Sequence, residues 1–362
     1  MLFHYRYVEH GIQTFQTYLD HLVLEVWCKP TSDFSIDLLH PDLKQIVEDI
    51  SNDASIKKDH LFGPIKEIYE IFKTKLTPAE RAQIASWYTF NNDIEALCSN
   101  HPIKQPGTYS QVAKINSDLS AALKKFCTSL FDDVIHLSAV KRKIGDLDDY
   151  YNKFVFLNDE GKCPYCGYLD IKGPHHSKRE AFDHYLPKSA YPFNSINFKN
   201  LSPMCHECNS TYKLAKDPAR HIDPLKKASS SNRRKAFYSY ATAMPPIEIT
   251  LALKSTDIGT LSPDEIDLQI TALGKTEEIE TWMDIFGIEE RYKAKLCAKN
   301  DGKAWLESAL MENENIKITQ AELFEMFLSN TAAADNKLRL DDANFLKRPF
   351  LLACRDAGLI GK

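Results

Sequence analysis

The stretch CPYCG at residues 163–167 is followed by AFDHYLPKS at 181–189 and by CHECN at 205–209. Two Cys-x-x-Cys pairs of this kind predict two knuckles that bring four thiolates to one tetrahedral zinc ion. The predicted ligands are Cys163, Cys166, Cys205 and Cys208. A zinc site with four thiolates has no open position for water, so it stabilises a fold without carrying out a reaction. The cysteine pattern alone therefore predicts a small zinc-supported module.

The remaining cysteines and the apolar stretches bear on the compartment of the protein. Cys28, Cys98, Cys127, Cys297 and Cys354 stand singly in apolar or helix-like stretches, which is typical of small buried residues. The N-terminus, MLFHYRYVEHGIQ, lacks the features of a secretory signal, and apolar stretches such as HLVLEVW at 21–27 are too short to cross a membrane. We therefore expect a cytoplasmic protein without a membrane partner, in which paired cysteines favour metal binding over disulfides.

Charge is unevenly distributed along the chain. The 362 residues carry a net charge of −5 with 43% hydrophobic residues, an ordinary composition that argues against a surface generally coated by nucleic acid. Residues 184–235, however, contain ten lysines and arginines and only three acidic residues. A basic segment in an acidic protein predicts a surface that binds phosphate groups, with a merely solvated charged face as the alternative.

The length predicts two or three domains, which we place at residues 1–145, 146–227 and 228–362. The first is expected to be helical, because apolar residues recur at three- and four-residue spacings in GPIKEIYEIFKTKL, and Thr77 and Glu80 form a capping-box pattern. A helix break is expected near Asn116–Ser117. KFVFLND at 153–159 is predicted to be a short strand that leads into the second domain.

The third domain is expected to begin at a flexible join, ASSSNRR at 228–234. IEITLAL at 247–253 and IDLQITAL at 266–273 alternate apolar and polar residues, which predicts a β-hairpin spanning 247–273. Helices are expected from Glu277 to the end of the chain.

Polar residues beside the cysteine pairs form a second pattern, which a structural zinc site does not need. It consists of Asp183, His184, Asn200, Asn209 directly after the last cysteine, and Lys213. This pattern resembles the HNH, or ββα-metal, endonuclease family, particularly members such as phage endonuclease VII, in which two Cys-x-x-Cys pairs flank the motif. The resemblance covers residues 163–225, about a sixth of the chain. It implies a mainly α fold with a small embedded ββα-metal module held by a four-cysteine zinc.

The resemblance also implies a role for each residue. Asp183, on a strand, and Asn209, at the start of the following helix, would hold a catalytic Mg²⁺ or Mn²⁺ ion, because hard cations prefer oxygen ligands. Asn209 replaces the last histidine of the family's name but still supplies an oxygen. His184 would be the general base that deprotonates water. Asn200 would brace the loop and orient the histidine. Lys213 would contact phosphate, and Lys188 and Lys216 are further candidates for that contact.

The activity implied is metal-dependent hydrolysis of DNA phosphodiester bonds to 5′-phosphate and 3′-hydroxyl ends, with RNA left open as a substrate. With long helical flanks, the layout resembles effectors of bacterial anti-phage defence, including HNH subunits that work with an ATPase partner in Septu-type and retron-linked systems. A restriction-like or mobile-element nuclease is an alternative. The flanks predict a platform for a protein partner or a second copy of the chain.

Two further functions compete with the nuclease. One is a zinc-knuckle module that binds nucleic acid without cleaving it, and the other is a scaffold with a vestigial nuclease fold. Neither needs an Asp–His pair and an asparagine beside the zinc cysteines, so the pattern favours the enzyme.

Overall fold

Helices dominate the N-terminal part of the protein. The computed structural model describes residues 1–221, 232–310, 319–331 and 339–360. The first nine helices are α1 Thr14–His21, α2 Pro41–Asn52, α3 Phe62–Lys75, α4 Pro78–Asn92, α5 Ile94–Cys98, α6 Tyr109–Ile115, α7 Ser117–Asp132, α8 Ser138–Ile144 and α9 Leu147–Leu157. A π-helical segment, Leu22–Trp27, continues α1. The expectation of a helical region over residues 1–145 is confirmed.

Local sequence signals explain where several of these helices begin. At the start of α4 the Thr77 side chain accepts from the backbone of Glu80, whose carboxylate accepts in return from Thr77, so the predicted capping box is present. Asn116 ends α6 and caps α7, where its side chain accepts from the backbone N–H of Leu119. The predicted break near Asn116–Ser117 is therefore confirmed.

The strand predicted at 153–159 is wrong, because most of that stretch belongs to α9. Asp146 caps the helix by accepting from the backbone N–H groups of Asp148 and Asp149. Buried apolar residues follow at helical spacing: Leu147, Tyr150, Tyr151, Phe154 and Val155. The helix cap and the helical spacing of the buried residues outweigh the strand-like run of Phe and Val in the second half of the helix.

Two small antiparallel sheets lie between the helical regions. In the first, β1 Phe182–His184 pairs with β2 Leu201–Pro203, with Asp183 opposite Ser202. A π-helical segment, Glu207–Lys213, follows directly. In the second, β3 Glu248–Leu253 pairs with β4 Ile266–Thr271. The hairpin predicted within 247–273 is thus confirmed.

The C-terminal part of the described chain is helical again, as expected. Its helices are α10 Thr276–Phe286, α11 Ile288–Cys297, α12 Ala304–Leu310, α13 Gln320–Thr331 and α14 Asn344–Asp356, with a π-helical segment at Lys299–Lys303. Short 3-10 turns occupy Gly11–Gln13, Ile36–Leu38, Val134–His136, Pro263–Glu265 and Asp341–Ala343. The fold is mainly helical with two small sheets. Within the described ranges, none of the helices is both long and apolar enough to cross a membrane.

Side chains from distant parts of the sequence meet in one hydrophobic core. The Trp282 indole of α10 donates to the carbonyl of Tyr165 at 2.7 Å, and the Tyr5 hydroxyl donates to the carbonyl of Pro203 at 3.0 Å. The backbone N–H of Leu2 donates to the carbonyl of Pro164 at 2.8 Å. Both flanks therefore pack directly on the region of the cysteine pairs. The three domain boundaries stay a prediction.

The stretch predicted as a flexible join ends in the core. Residues 228–231 lie outside the described residues, but Arg233 is only 2% exposed. Its guanidinium donates to the carbonyls of Leu97, His101 and Lys104 at 3.1–3.3 Å. These carbonyls lie at and just beyond the end of α5, where the Leu97 carbonyl also accepts from the backbone N–H of Asn100. Arg233 thus fastens the chain after the cysteine region to the N-terminal helices.

We expect Arg233→Met to lower the free energy of unfolding by about 3 kcal/mol, because it removes a buried guanidinium that donates to three carbonyls and leaves those of His101 and Lys104 without this donor. The measurement is urea unfolding of the full chain followed by circular dichroism. Lys235→Met is the matched control, since Lys235 is exposed, and it should change stability by less than about 0.5 kcal/mol. Equal stability of the two variants would contradict the role given to Arg233.

Candidate functional site

The four paired cysteines form a buried cluster. Their sulfur atoms all lie within 4.8 Å of one another, and the Sγ atoms of Cys166 and Cys205 are 3.9 Å apart. Tetrahedral zinc with Zn–S bonds of about 2.3 Å places its sulfurs roughly 3.8 Å from one another. The cluster therefore fits a metal such as zinc in both ligand type and spacing. The backbone N–H of Cys208 also points at the Sγ of Cys205, at 3.4 Å.

Residues of the C-terminal helices complete the surroundings of the cluster, and no sequence pattern predicts them. Arg291 of α11 donates to the Sγ of Cys208 at 3.2 Å, and its guanidinium lies over the rings of Tyr168 and Tyr212. The Tyr292 hydroxyl donates to the carbonyl of Cys166 at 2.9 Å. Arg291 follows Cys208 by 83 residues, and no spacing pattern in the sequence links the two. With a divalent ion such as zinc bound, its positive charge would offset the excess negative charge of four thiolates.

Asp183 lies in the middle of β1 and is paired with a lysine. Its Oδ2 atom is 2.8 Å from the Nζ of Lys213, at the end of the π-helical segment. Asp183 is 8% exposed and Lys213 is 0% exposed. Burial raises the pKa of the Asp183 carboxyl, and the Lys213 ammonium opposes that rise. The β1–β2 hairpin and the following segment thus converge on one buried carboxylate.

His184 points away from Asp183, as alternation along a strand requires. Its Nε2 donates to the carbonyl of Ser195 at 2.8 Å, because a carbonyl can only accept. The Nδ1 atom is then left with the lone pair, and it has no hydrogen-bond partner among the described residues. The ring of Phe131, from α7, meets the imidazole edge-on at 4.5 Å between centroids. Burial lowers the pKa of His184 to about 3, so the imidazole is neutral.

Asn200 is fully buried and holds the loop after β1. Its Oδ1 accepts from the backbone N–H of Leu186 at 2.8 Å, and its Nδ2 donates to the Leu186 carbonyl at 2.9 Å. The backbone carbonyl of Asn200 accepts from the N–H of Tyr185. Asn200 therefore fixes the backbone next to His184, whereas the imidazole itself is bonded to Ser195.

The remaining predicted site residues, Asn209, Lys188 and Lys216, have different surroundings. Asn209 is half-buried, four residues before Lys213 on the same segment, and its side chain has no hydrogen-bond partner among the described residues. Lys188 forms an ion pair with Asp132, at the end of α7, and its ammonium lies 5.2 Å from the centre of the Phe131 ring. Lys216 donates to the carbonyl of Ile285 at 3.5 Å. Substrate contacts by Lys188, Lys213 and Lys216 stay predictions.

The basic segment 184–235 contributes less surface charge than its composition predicts. Lys213, Arg233 and Arg234 are buried, and Arg234 forms an ion pair with Asp284 of α10 at 2.6 Å. Lys226 and Lys227 lie outside the described residues. Lys199 and Lys235 are exposed. Several of these cations thus stabilise the fold instead of forming a phosphate-binding surface.

Comparison with known proteins gives one partial similarity. The chain is similar to Septu protein PtuB of Bacillus thuringiensis, with 35% identity over 72 residues. The match covers 19% of this chain and spans 27% of the length of that relative. No family model matches the chain, and no solved structure matches it.

We expect Cys205→Ser to abolish binding of one zinc ion per chain and to remove cooperative unfolding, because the ion holds the cysteine region together. Metal analysis of the purified protein and thermal unfolding measure the two effects. Cys297→Ser is the matched control, because Cys297 is a half-buried residue of α11 outside the cluster. Full zinc content in Cys205→Ser would rule out the four-cysteine site.

Proposed function

We propose that the protein is a metal-dependent HNH-type endonuclease that hydrolyses DNA as a regulated effector of anti-phage defence. The observation that supports this most directly is the order and convergence of three elements. β1 carries Asp183 and His184, β2 pairs with it, and the segment after Cys208 carries Asn209 and reaches Asp183 through Lys213. This is the strand–strand–helix order that a ββα-metal module requires. The similarity to a Septu protein supports the defence role.

The proposed metal ligands are Asp183 and Asn209. The Oδ2 atom of Asp183 is buried and has no hydrogen bond of good geometry, although Lys213 is close. The Asn209 amide is likewise without a hydrogen-bond partner among the described residues. Both are oxygen donors of the kind that Mg²⁺ and Mn²⁺ accept, so their chemistry suits such an ion. When bound, the ion would supply charge neutralisation at the phosphate and at the departing oxygen.

His184 is the proposed general base. The hydrogen bond to the Ser195 carbonyl holds the tautomer in which Nε2 carries the proton, and Nδ1 is then free to accept a proton from water. Asn200 keeps the adjacent backbone in place through its two hydrogen bonds to Leu186. The cysteine cluster has a purely structural role. Asn209 directly follows Cys208, so the cluster holds the start of the segment that carries Asn209.

We expect His184→Ala to lower the rate of plasmid nicking at least about 100-fold, the usual contribution of a general base. Asn209→Ala should have a similarly large effect while retaining zinc. The measurement is conversion of supercoiled plasmid by the purified full chain with Mg²⁺ or Mn²⁺. His206→Ala is the matched control, because His206 is exposed between two of the cluster cysteines; this variant should leave the rate unchanged.

Equal nicking by the wild type and His184→Ala would remove His184 from the mechanism. No cleavage by the wild type, even with added partner proteins, would favour a module that only binds nucleic acid.

The proposed nuclease would be regulated, because the N-terminal flank covers His184. Phe131 lies against the His184 ring, and the Asp132–Lys188 ion pair fastens the end of α7 to the loop after β1. His184 is 8% exposed, so a phosphate diester needs α7 or the loop to shift before it can reach the imidazole. A partner that binds the helical flank and moves α7 would open the site.

We expect Asp132→Asn to raise the basal nicking rate about two- to fivefold, because a partly exposed ion pair contributes up to about 1 kcal/mol to the closed arrangement. Initial rates on supercoiled plasmid measure the effect. Asp133→Asn is the control, since Asp133 contacts Lys58, His60 and Ser129 within the N-terminal helical region. A rate for Asp132→Asn at or below that of the control would contradict gating by α7.

A further inference from the structure

Lys213 is a charged side chain with no exposed surface. Its ammonium lies 2.8 Å from Asp183 Oδ2 and donates to the backbone carbonyl of His184 at 3.0 Å. Both partners belong to β1, so the lysine reaches across from the π-helical segment to the middle of the hairpin. A phosphate group on the surface has no access to an ammonium in this position. The contact predicted from sequence therefore does not account for this burial.

Lys213 forms a close ion pair with Asp183, whose carboxylate has two oxygens that can accept from more than one donor. The carboxylate oxygen nearest the ammonium has no hydrogen bond of good geometry, while the ammonium directs a proton to the His184 carbonyl. A buried carboxylate without a positive charge beside it is strongly destabilising. Lys213 supplies that charge, but it does not use the full hydrogen-bonding capacity of Asp183. The carboxylate is thus neutralised and still able to accept another cation.

We propose that Lys213 is a built-in counter-ion that neutralises Asp183 in the metal-free protein and competes electrostatically with the divalent cation for that carboxylate. This inference rests on the proposed function, because it takes Asp183 as a metal ligand. Lys213 is then a positioning residue that acts through Asp183. It keeps the site folded before the metal arrives, and it weakens metal binding because two cations share the attraction of one carboxylate.

The same arrangement explains why a lysine suits this position better than an apolar residue. An apolar side chain would leave Asp183 unpaired and buried whenever the ion is absent, so the carboxyl would have to take up a proton or the hairpin would depend on a divalent metal for its stability. With Lys213 in place, the fold is independent of that metal, and the occupancy of the site follows the concentration of free divalent cation. The proposed nuclease would then bind its catalytic ion reversibly, whereas the cysteine cluster retains its metal.

The test compares Mn²⁺ binding to the zinc-loaded full chain and to Lys213→Gln, which removes the charge but keeps a donor for the His184 carbonyl. Isothermal titration and the electron paramagnetic resonance signal of free Mn²⁺ measure the affinity. We expect Lys213→Gln to bind one Mn²⁺ ion at least about tenfold more tightly, because a nearby positive charge is removed. Its unfolding temperature without Mn²⁺ should fall, and Mn²⁺ should raise that temperature more than in the wild type. Lys216→Gln, which loses an ammonium that donates to the Ile285 carbonyl, should match the wild type in both measurements.

The remaining outcomes distinguish failure of the Lys213 inference from failure of the proposed nuclease function. If the wild type binds Mn²⁺ through Asp183 and Lys213→Gln binds it equally or more weakly, competition by Lys213 is refuted and the nuclease proposal is untouched. If neither protein binds Mn²⁺, the proposed metal site fails and this inference fails with it. A Lys213→Gln protein that folds only when Mn²⁺ is supplied supports the proposal, since the ion then replaces the ammonium. A variant that does not fold even with Mn²⁺ refutes it.

Discussion

Four thiols buried within 4.8 Å of one another are the constraint on which the rest of the structure depends. Ionised sulfur at this density is stable in a protein interior only around a cation, so the cluster fits a bound metal such as zinc. The surrounding elements are arranged to satisfy this cluster. Arg291 adds positive charge at Cys208, and Tyr292 and Trp282 donate to the carbonyls of the first knuckle. Because Asn209 is covalently next to Cys208, the cluster also constrains where Asn209 can lie.

The electrostatics of the candidate site around Asp183 and His184 differ from those of the cysteine cluster. Here one carboxylate, Asp183, is buried beside one ammonium, and the imidazole of His184 is kept neutral by burial. The hairpin separates the two side chains onto opposite sides of the strand, towards Lys213 on one side and Phe131 on the other. Each side is thus closed by a different part of the chain. Access to the carboxylate depends on the segment after the cysteines, whereas access to the imidazole depends on α7.

The sequence predicted those features that are encoded by neighbouring residues. The capping box at Thr77, the break at Asn116 and the β3–β4 hairpin all follow from local patterns, and the cysteine spacing predicted the cluster. The strand expected at 153–159 failed because a short apolar run is ambiguous, and the cap at Asp146 decides it in favour of a helix. The partners of the site residues could not be predicted, because they come from remote segments. Phe131, Asp132 and Arg291 carry no local signal for the groups that they contact, and only tertiary packing reveals that Lys213 is buried.

The contacts of Trp282, Arg291 and Tyr292 with the cysteine region have a consequence for how such a chain can evolve. The cysteines and the residues that enclose them are far apart in sequence, so the cysteine region cannot be exchanged between proteins as an independent unit. Transfer of residues 163–221 alone into another protein would leave buried aromatic rings and the Cys208 sulfur without the groups that cover them. Recombination that preserves function has to carry α10 and α11 along. Substitutions in those two helices are therefore expected to covary with substitutions around the knuckles.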